Sequence, residues 1–440
     1  MKPMQVGLLG IGTVGGGTFR VLSRNREEIT RRAGREIRIA MVADKATDRA
    51  RELVGNNVEV VDDAMKVITH PNIDIVVELI GGYSPAKEFV LKAIANGKHV
   101  VTANKALLAV HGTEIFAAAR EKGVVVAFEA AVAGGIPIIK SLREGLTANR
   151  IEWIAGIVNG TTNFILSEMR DKGLDFDAVL KQAQALGYAE ADPTFDIEGV
   201  DAAHKTTLMS AIAFGIPVQF DRAYVEGITR LQAADITYAE QLGYRIKLLG
   251  ITRRRANGIE LRVHPTLIPM KRLIANVEGA MNAVMVHGDA VGTTLYYGKG
   301  AGAEATASAV IADLVDITRL HTALPNHRVP HLAFQPDELA ATPILPMDQV
   351  VSSFYLRLQV ADQTGVLARI TGILAGHDIS IDALLQRPNQ NSATEGEAHT
   401  DVIILTHDTV EGKMNQAIAQ MQALPTVLAP IVRIRKEDLS

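Results

Sequence analysis

A glycine turn placed directly after the first apolar run constrains this chain more than any other feature. "GLLGIGTVGGG" sets Gly10, Gly12 and Gly15 in the spacing Gly-x-Gly-x-x-Gly, with Ile11, Thr13 and Val14 between them. Each glycine has its own task in such a turn. Gly10 permits a tight change of direction, Gly12 lets the backbone approach a pyrophosphate, and Gly15 lets the next helix pack closely on the strand. The helix N-terminus then offers free N–H groups to the phosphates. The signal draws its force from context, because the turn opens a strand–helix–strand unit.

That unit continues through the first third of the chain. "MQVGLLG" (4–10), "IRIAMVAD" (37–44), "IDIVVELIG" (73–81), "HVVTAN" (99–104) and "VVVAFEA" (124–130) are short, β-branched runs, apolar on both faces. Such runs read as buried parallel strands. Helical stretches at 85–96 and 111–122 separate them. The prediction is an α/β, doubly wound Rossmann-type domain over 1–134 that holds NAD(P)H. At the end of the second run, Asp44 suits the ribose 2′-hydroxyl of NAD, whereas its neighbour Lys45 suits the 2′-phosphate of NADP. The two pull in opposite directions, and the preference stays open.

Beyond residue 134 the pattern changes. "RIEWIAGIVNGTTNFIL" gives a strand, a glycine-containing loop and a helix start, and "DFDAVLKQAQALG" an amphipathic helix closed by Gly187. "IELRVHPTLI" and "NAVMVHGDAVGTTLYYGKG" read as antiparallel strands. Residues 135–320 are therefore expected to form a mixed α+β catalytic and dimerisation domain, with 302–320 returning to the first domain as a helix. Strands 260–268 and 282–297 would leave an apolar face or edge uncovered, which predicts a homodimer or homotetramer. Residues 321–349, with Pro336, Pro343 and Pro346, read as a linker. Residues 350–440 follow the order βαββαβ, a ferredoxin-like unit expected to fold on its own. Val366, Ile370, Ile373 and Leu374 share one helix face there, and the polar stretch 387–400 reads as a mobile loop.

Composition excludes several functions. The formal net charge of −4 over 440 residues gives no reason to expect nucleic acid or an anionic membrane as partner. No apolar run is long enough to span a bilayer, and no signal-peptide pattern opens the chain, so a cytoplasmic protein is expected. There is no cysteine, hence no disulfide, no thiolate metal site and no cysteine nucleophile.

The chemistry concentrates in "YAEADPTFDIEGVDAAHK" (188–205), which packs Glu190, Asp192, Asp196, Glu198 and Asp201 ahead of Lys205 and then enters the apolar "TTLMSAIAFGIPV". Asp201 and Lys205 are spaced i, i+4 on a helix and can meet. An exposed pair of this kind would contribute a few tenths of a kcal/mol. A pair drawn into a dry pocket beside a dinucleotide is suited to proton donation during hydride transfer. Glu190 and Asp196 precede it on a loop, where they could meet a substrate ammonium or, for Asp196, cap a helix.

Taken together, "GLLGIGTVGGG", "TANKALLA", "GIVNGTTNFIL", "YAEADPTFDIEGVDAAHK" and "GKGAGAEATASAV" resemble homoserine dehydrogenase, in order, from residue 1 to about 320. "VADQTGVLARITGILAGHDISI" resembles an ACT domain, a module that binds amino acids in feedback-regulated enzymes. The resemblance implies reversible NAD(P)H-dependent reduction of L-aspartate 4-semialdehyde to L-homoserine, on the route to threonine, methionine and isoleucine. By the same resemblance Lys205 is the proton donor, Asp201 positions it, and Lys105 in "TANKA" faces cofactor and substrate as the second candidate acid. Glu190, Asp196, Gly160, Thr161 and Tyr188 would bind substrate, and Gly81 and Gly302 would join the cofactor site. "EAAVAGGIP" resembles the family's monovalent cation site, with Glu129, Val132, Gly134 and Ile136 as oxygen ligands for Na⁺. Threonine is the expected effector, near "DQTGV" (362–366).

Two rivals follow. Aspartate semialdehyde dehydrogenase shares the metabolite but needs a cysteine, which is missing. A non-catalytic NAD(P) sensor with an amino-acid-binding module would bind nucleotide without turnover.

Overall fold

The computed structural model describes residues 2–388 and 399–440; most of the loop expected at 387–400 lies outside them. Six parallel strands build the first sheet: β1 (Met4–Leu9), β2 (Ile37–Ala43), β3 (Glu59–Val61), β4 (Ile75–Glu78), β5 (His99–Thr102) and β6 (Val126–Ala127). Their order, β3-β2-β1-β4-β5-β6, is that of a doubly wound dinucleotide-binding sheet. Strand β3 has no counterpart in the sequence reading, because three half-exposed residues make no hydrophobic run. The helix expected at 111–122 begins earlier, at Lys105, where the Asn104 side chain accepts the Leu107 N–H at 3.1 Å. Helix Ala303–Leu320 packs Ala307, Val310 and Leu314 into the same core as Met4, Val6 and Leu8.

A second sheet contains β7 (Ile151–Ile157), β8 (Tyr224–Val225), β9 (Tyr244–Arg255), β10 (Gly258–Pro269), β11 (Met281–Gly288) and β12 (Gly292–Lys299). Its hairpin β9–β10 pairs in register from Gly258↔Arg255 to Pro269↔Tyr244. Strand β9 also went unread, since "YRIKLLGITRRR" buries Lys247 and Thr252 and so lacks a clean apolar pattern. Helices Gly160–Lys172 and Val200–Phe214 contact β9, and the second also contacts β7.

The C-terminal strands are β13 (Val351–Ala361), β14 (Ile381–Pro388), β15 (His399–Thr406), β16 (Thr409–Val410) and β17 (Val432–Lys436), with helices Val366–Gly376 and Glu411–Gln422. Their sheet order β17-β13-β15-β14 gives the ferredoxin-like sandwich. Val366, Ile370 and Leu374 are buried in its core, while Ile373 is partly buried at the margin.

Two expectations change here. The C-terminal unit is not free-standing: β17 pairs parallel with β10, at Thr266↔Arg435 and Leu267↔Lys436, so one sheet runs through both units. Strand β10 is therefore interior, and the edge expected at 260–268 is already covered. Arg262 on β10 donates to Glu437 Oε1 at 2.6 Å, Arg357 on β13 donates to Asp235 Oδ1 at 2.6 Å, and Leu439 joins the cluster of Trp153, Ile251 and Ile268. Residues 321–349, expected as a linker, lie along the body. The Val126 N–H donates to His331 Nε2 at 3.1 Å, Ala340 N to Gly215 O at 2.7 Å, and Leu345 N to Ile259 O at 2.8 Å. Leu332 and Leu345 are the residues of this strap that are buried against the body.

Candidate active site

The site grows from the end of β7. Asn159 caps helix Gly160–Lys172, its side-chain oxygen accepting the Thr162 N–H at 2.8 Å. The same side chain donates from Nδ2 to Asp196 Oδ1 at 2.7 Å and to Asp201 Oδ2 at 2.9 Å. Helix Val200–Phe214 supplies Asp201 and, one turn on, Lys205. Lys205 Nζ donates to Asp201 Oδ2 at 2.6 Å and to the Val158 carbonyl at 2.7 Å. Lys105, at the start of its helix in the first domain, brings Nζ within 3.1 Å of Asp201 Oδ1.

Burial separates this cluster from a surface ion pair. The side chains of Asp201 and Lys205 are 5 % and 11 % exposed, that of Lys105 33 %. Burial alone would raise the Asp201 carboxyl, but Lys205 and Lys105 outweigh it and hold the group well below the ordinary range. The carboxylate is thus ionised throughout the physiological range. Beside it His204 is buried between Phe195 and Phe220, with neither ring nitrogen hydrogen-bonded among the described residues. Burial pushes its pKa down to about 4, so the ring is neutral.

The nucleotide turn has the geometry its glycines require. Gly10 takes φ +89°, and a Cβ on Gly15 would stand 2.2 Å from the Gly10 carbonyl. At Gly12, its own atoms and its chain neighbours apart, no atom of the described residues lies within 4 Å of where a Cβ would be, which leaves the turn open above it. Asp44 braces this turn: it accepts the Ile11 N–H at 2.8 Å and the Ala46 N–H at 2.8 Å. Lys45 is exposed, its Nζ 3.4 Å from the Asp62 carbonyl.

Family models place these elements. A model described as "Homoserine dehydrogenase, NAD binding domain" matches residues 10–129, "Homoserine dehydrogenase" matches 137–315, and "ACT domain" matches 354–425. The homoserine dehydrogenase of Pseudomonas aeruginosa is 61 % identical over 440 residues, covering 100 % of both chains. That of Neisseria gonorrhoeae is 59 % identical over 439 residues, again covering 100 % of both.

The chain belongs to the homoserine dehydrogenase family.

A crystal structure of a homoserine dehydrogenase from Thiobacillus denitrificans superposes with a TM-score of 0.95 at 67 % identity, covering 100 % of this chain and 99 % of that one. The homoserine dehydrogenase of S. aureus gives 0.76 at 32 % identity, covering 99 % of each. The sensor reading loses its motive, since the whole length matches enzymes.

Within this homoserine dehydrogenase the residues singled out from sequence fall into groups. Lys205, Asp201, Lys105 and Asp196 meet around Asn159. Glu190 stands exposed on the loop, its carbonyl held by Gln184 Nε2 at 3.1 Å and its carboxylate unpaired among the described residues. Thr161 spends its hydroxyl on the Tyr188 carbonyl at 2.8 Å, and the Tyr188 ring stacks on Phe164 at 4.3 Å. Gly160 packs against Ala280. The Gly81 N–H donates to Glu78 Oε1 at 2.9 Å, and Gly302 caps helix Ala303–Leu320.

Two residues were missed. Asn159 carries the "NG" signature of a strand-to-helix turn, and its cap role hides its second bonds. Glu78 ends a wholly apolar strand, fully buried, and accepts from the Ile80 and Gly81 amides and from Thr102 Oγ1 at 2.8 Å. A carboxylate closing such a strand was the signal available.

Proposed function

We propose that the Asp201–Lys205–Lys105 cluster is where the chain interconverts L-homoserine and L-aspartate 4-semialdehyde. The observation that carries this reading is one buried carboxylate held between two ammonium groups, one from each domain. An ammonium has three N–H donors. Lys205 uses two of them on Asp201 and Val158, which leaves one for the substrate oxygen. In the direction of reduction Lys205 gives its proton to the aldehyde oxygen, and Asp201 holds the amine in place. Lys105, the second candidate acid, adds positive charge where the oxygen becomes an alkoxide. Bound NAD(P)H supplies the hydride. The turn Gly10–Gly15 would hold its pyrophosphate, with Asp44, Lys45, Gly81 and Gly302 completing the site. Glu190, whose carboxylate has no partner among the described residues, suits the substrate ammonium, and Asp196, Tyr188, Gly160 and Thr161 complete the pocket wall.

The residues proposed for Na⁺ fit a hard cation. Ala133 and Gly134 turn the buried backbone with φ of 56° and 49°, and Glu129 is buried with its oxygens on the Ile139 and Lys140 amides. The carbonyls of Val132, Gly134 and Ile136 would complete the set, although that of Ile136 already accepts from Ile138 N at 2.8 Å. Edge strand β12, with Tyr297 exposed, supports pairing of copies into a homodimer or homotetramer. On this reading the enzyme works in the cytoplasm and answers to threonine at the C-terminal module. Steady-state oxidation of homoserine with NAD⁺ and with NADP⁺, with and without threonine, tests the reading. Nucleotide binding without any turnover would return it to a sensor.

A further inference from the structure

The last strand of the C-terminal module carries a buried arginine that reaches toward the substrate loop. Arg435 on β17 is fully buried. Its Nε donates to Glu411 Oε2 at 2.9 Å and its Nη2 to Glu411 Oε1. Nη1 donates to Glu226 Oε2 at 2.8 Å, and Nη2 lies 3.0 Å from the Tyr224 hydroxyl. That hydroxyl donates to the same Glu226 oxygen at 2.7 Å. Glu411 opens helix Glu411–Gln422, so a helix of the module and, through Glu226, the catalytic unit each set a carboxylate on the one guanidinium of β17.

From Glu226 the path to the loop is backbone. The Glu226 N–H donates to the Val263 carbonyl at 2.8 Å, which fixes the residue on β10. A Cβ on the next residue, Gly227, would stand 2.3 Å from the Ile197 carbonyl oxygen and 2.5 Å from Glu198 Cα. The Ile228 N–H donates to that same carbonyl at 2.9 Å. Ile197 follows Asp196, whose carboxylate shares the Asn159 amide with Asp201.

We propose that Arg435 is a positioning residue for the substrate loop, acting through Glu226 and the backbone of Gly227. The proposal rests on reading residues 188–198 as that loop. A buried guanidinium must keep its carboxylate partners, because an uncompensated charge in the interior is costly. Glu226 is therefore held in place, and Gly227 leaves no slack between it and Ile197. A shift of β17 or of helix Glu411–Gln422 then alters where Asp196 stands, without any contact between the module and the substrate.

The test uses the full chain with Glu226→Gln, Gly227→Ala and, for comparison, Glu190→Gln. Glu226→Gln keeps the shape and removes the charge. It is expected to raise KM for homoserine about fivefold or more, with nucleotide Kd within about twofold of the parent. Gly227→Ala is expected to raise KM further, and should it fail to fold, Glu226→Gln alone carries the test. An unchanged homoserine KM in Glu226→Gln with a lowered melting temperature would mean structural support only and overturn the proposal. If Glu190→Gln also leaves KM unchanged, the substrate-loop reading itself has failed.

Discussion

Lys105 and Lys205 end on opposite oxygens of one carboxylate, 3.1 and 2.6 Å from Asp201, although they come from different domains. The carboxylate is therefore a hinge point of charge between the nucleotide domain and the catalytic one. Lys205→Ala should lower turnover by about 10²–10⁴-fold, the usual contribution of a general acid, with little change in nucleotide affinity. Parallel kinetics on Lys105→Ala identify the donor. Near-normal turnover in Lys205→Ala would transfer the role to Lys105.

Asn159 does two jobs, and substitutions separate them. Asn159→Ser keeps a capping oxygen but loses the amide that joins Asp196 to Asp201. Its stability should stay within about 1 kcal/mol of the parent, while homoserine KM rises. Asn159→Ala should show both losses. Thermal melts read beside kinetics would distinguish them, and equal KM in parent and Asn159→Ser would deny the bridge any role.

Truncation near residue 350 should produce an aggregating chain rather than a deregulated enzyme. It bares the edge of β10 and strips Arg262 of Glu437 and Asp235 of Arg357. Breaking a buried pair by removing one partner costs about 3–5 kcal/mol; Asp235 loses Arg357 in this way and Glu226 loses Arg435, while Arg262 keeps only Glu260. Size-exclusion chromatography of the truncated chain checks this; a monodisperse, active product would contradict it.

His99 and His331, with buried His204, contribute to the acid limit of the stability. His99 Nδ1 accepts the Val125 N–H at 3.0 Å and His331 Nε2 accepts the Val126 N–H at 3.1 Å, so successive amides depend on neutral rings. Burial, helped for His99 by Arg328 and His321, and for His331 by Arg143, pushes both pKa values down to about 4. A depressed folded-state pKa contributes stability that is present above the unfolded value, about 6.5, and is lost as pH falls toward 4. A shift from about 6.5 to about 4 corresponds to about 3 kcal/mol for each ring. Melting temperature should fall between pH 6.5 and 4, and fall less steeply in His99→Gln. A flat profile over that range would refute the assignment.

Where side chains point into a shared apolar core, the sequence is readable. The runs at 4–10, 37–44 and 99–104 declare themselves because apolar and β-branched residues dominate them, and Gly10, Gly12 and Gly15 fix the turn between the first of them and its helix. Asp201 and Lys205 are legible because one helical turn joins them. Arg435 is not, because Glu226 and Tyr224 lie far along the chain and no local spacing announces them; Asn159 and Glu78 show their local bonds in the sequence but not their distant ones to Asp196, Asp201 and Thr102. Strand β9 hides for a related reason. Its buried Lys247 is satisfied by Asn163 and the Val277 carbonyl, so its polarity says nothing about exposure. Likewise the prolines of 321–349 suggest a slack tether, and only the backbone bonds of Ala340 and Leu345 reveal a strap.

The pairing of β10 with β17 also sets an order of events during synthesis. In chain order β17 follows every other described strand of the second sheet. Once β10 has left the ribosome, its free edge waits on the order of ten to thirty seconds at ordinary elongation rates. During that interval the nucleotide domain can close, but the catalytic sheet stands open to a neighbouring nascent chain. The final strand is therefore a clasp, and a message broken late leaves an unfinished sheet rather than an unregulated catalyst.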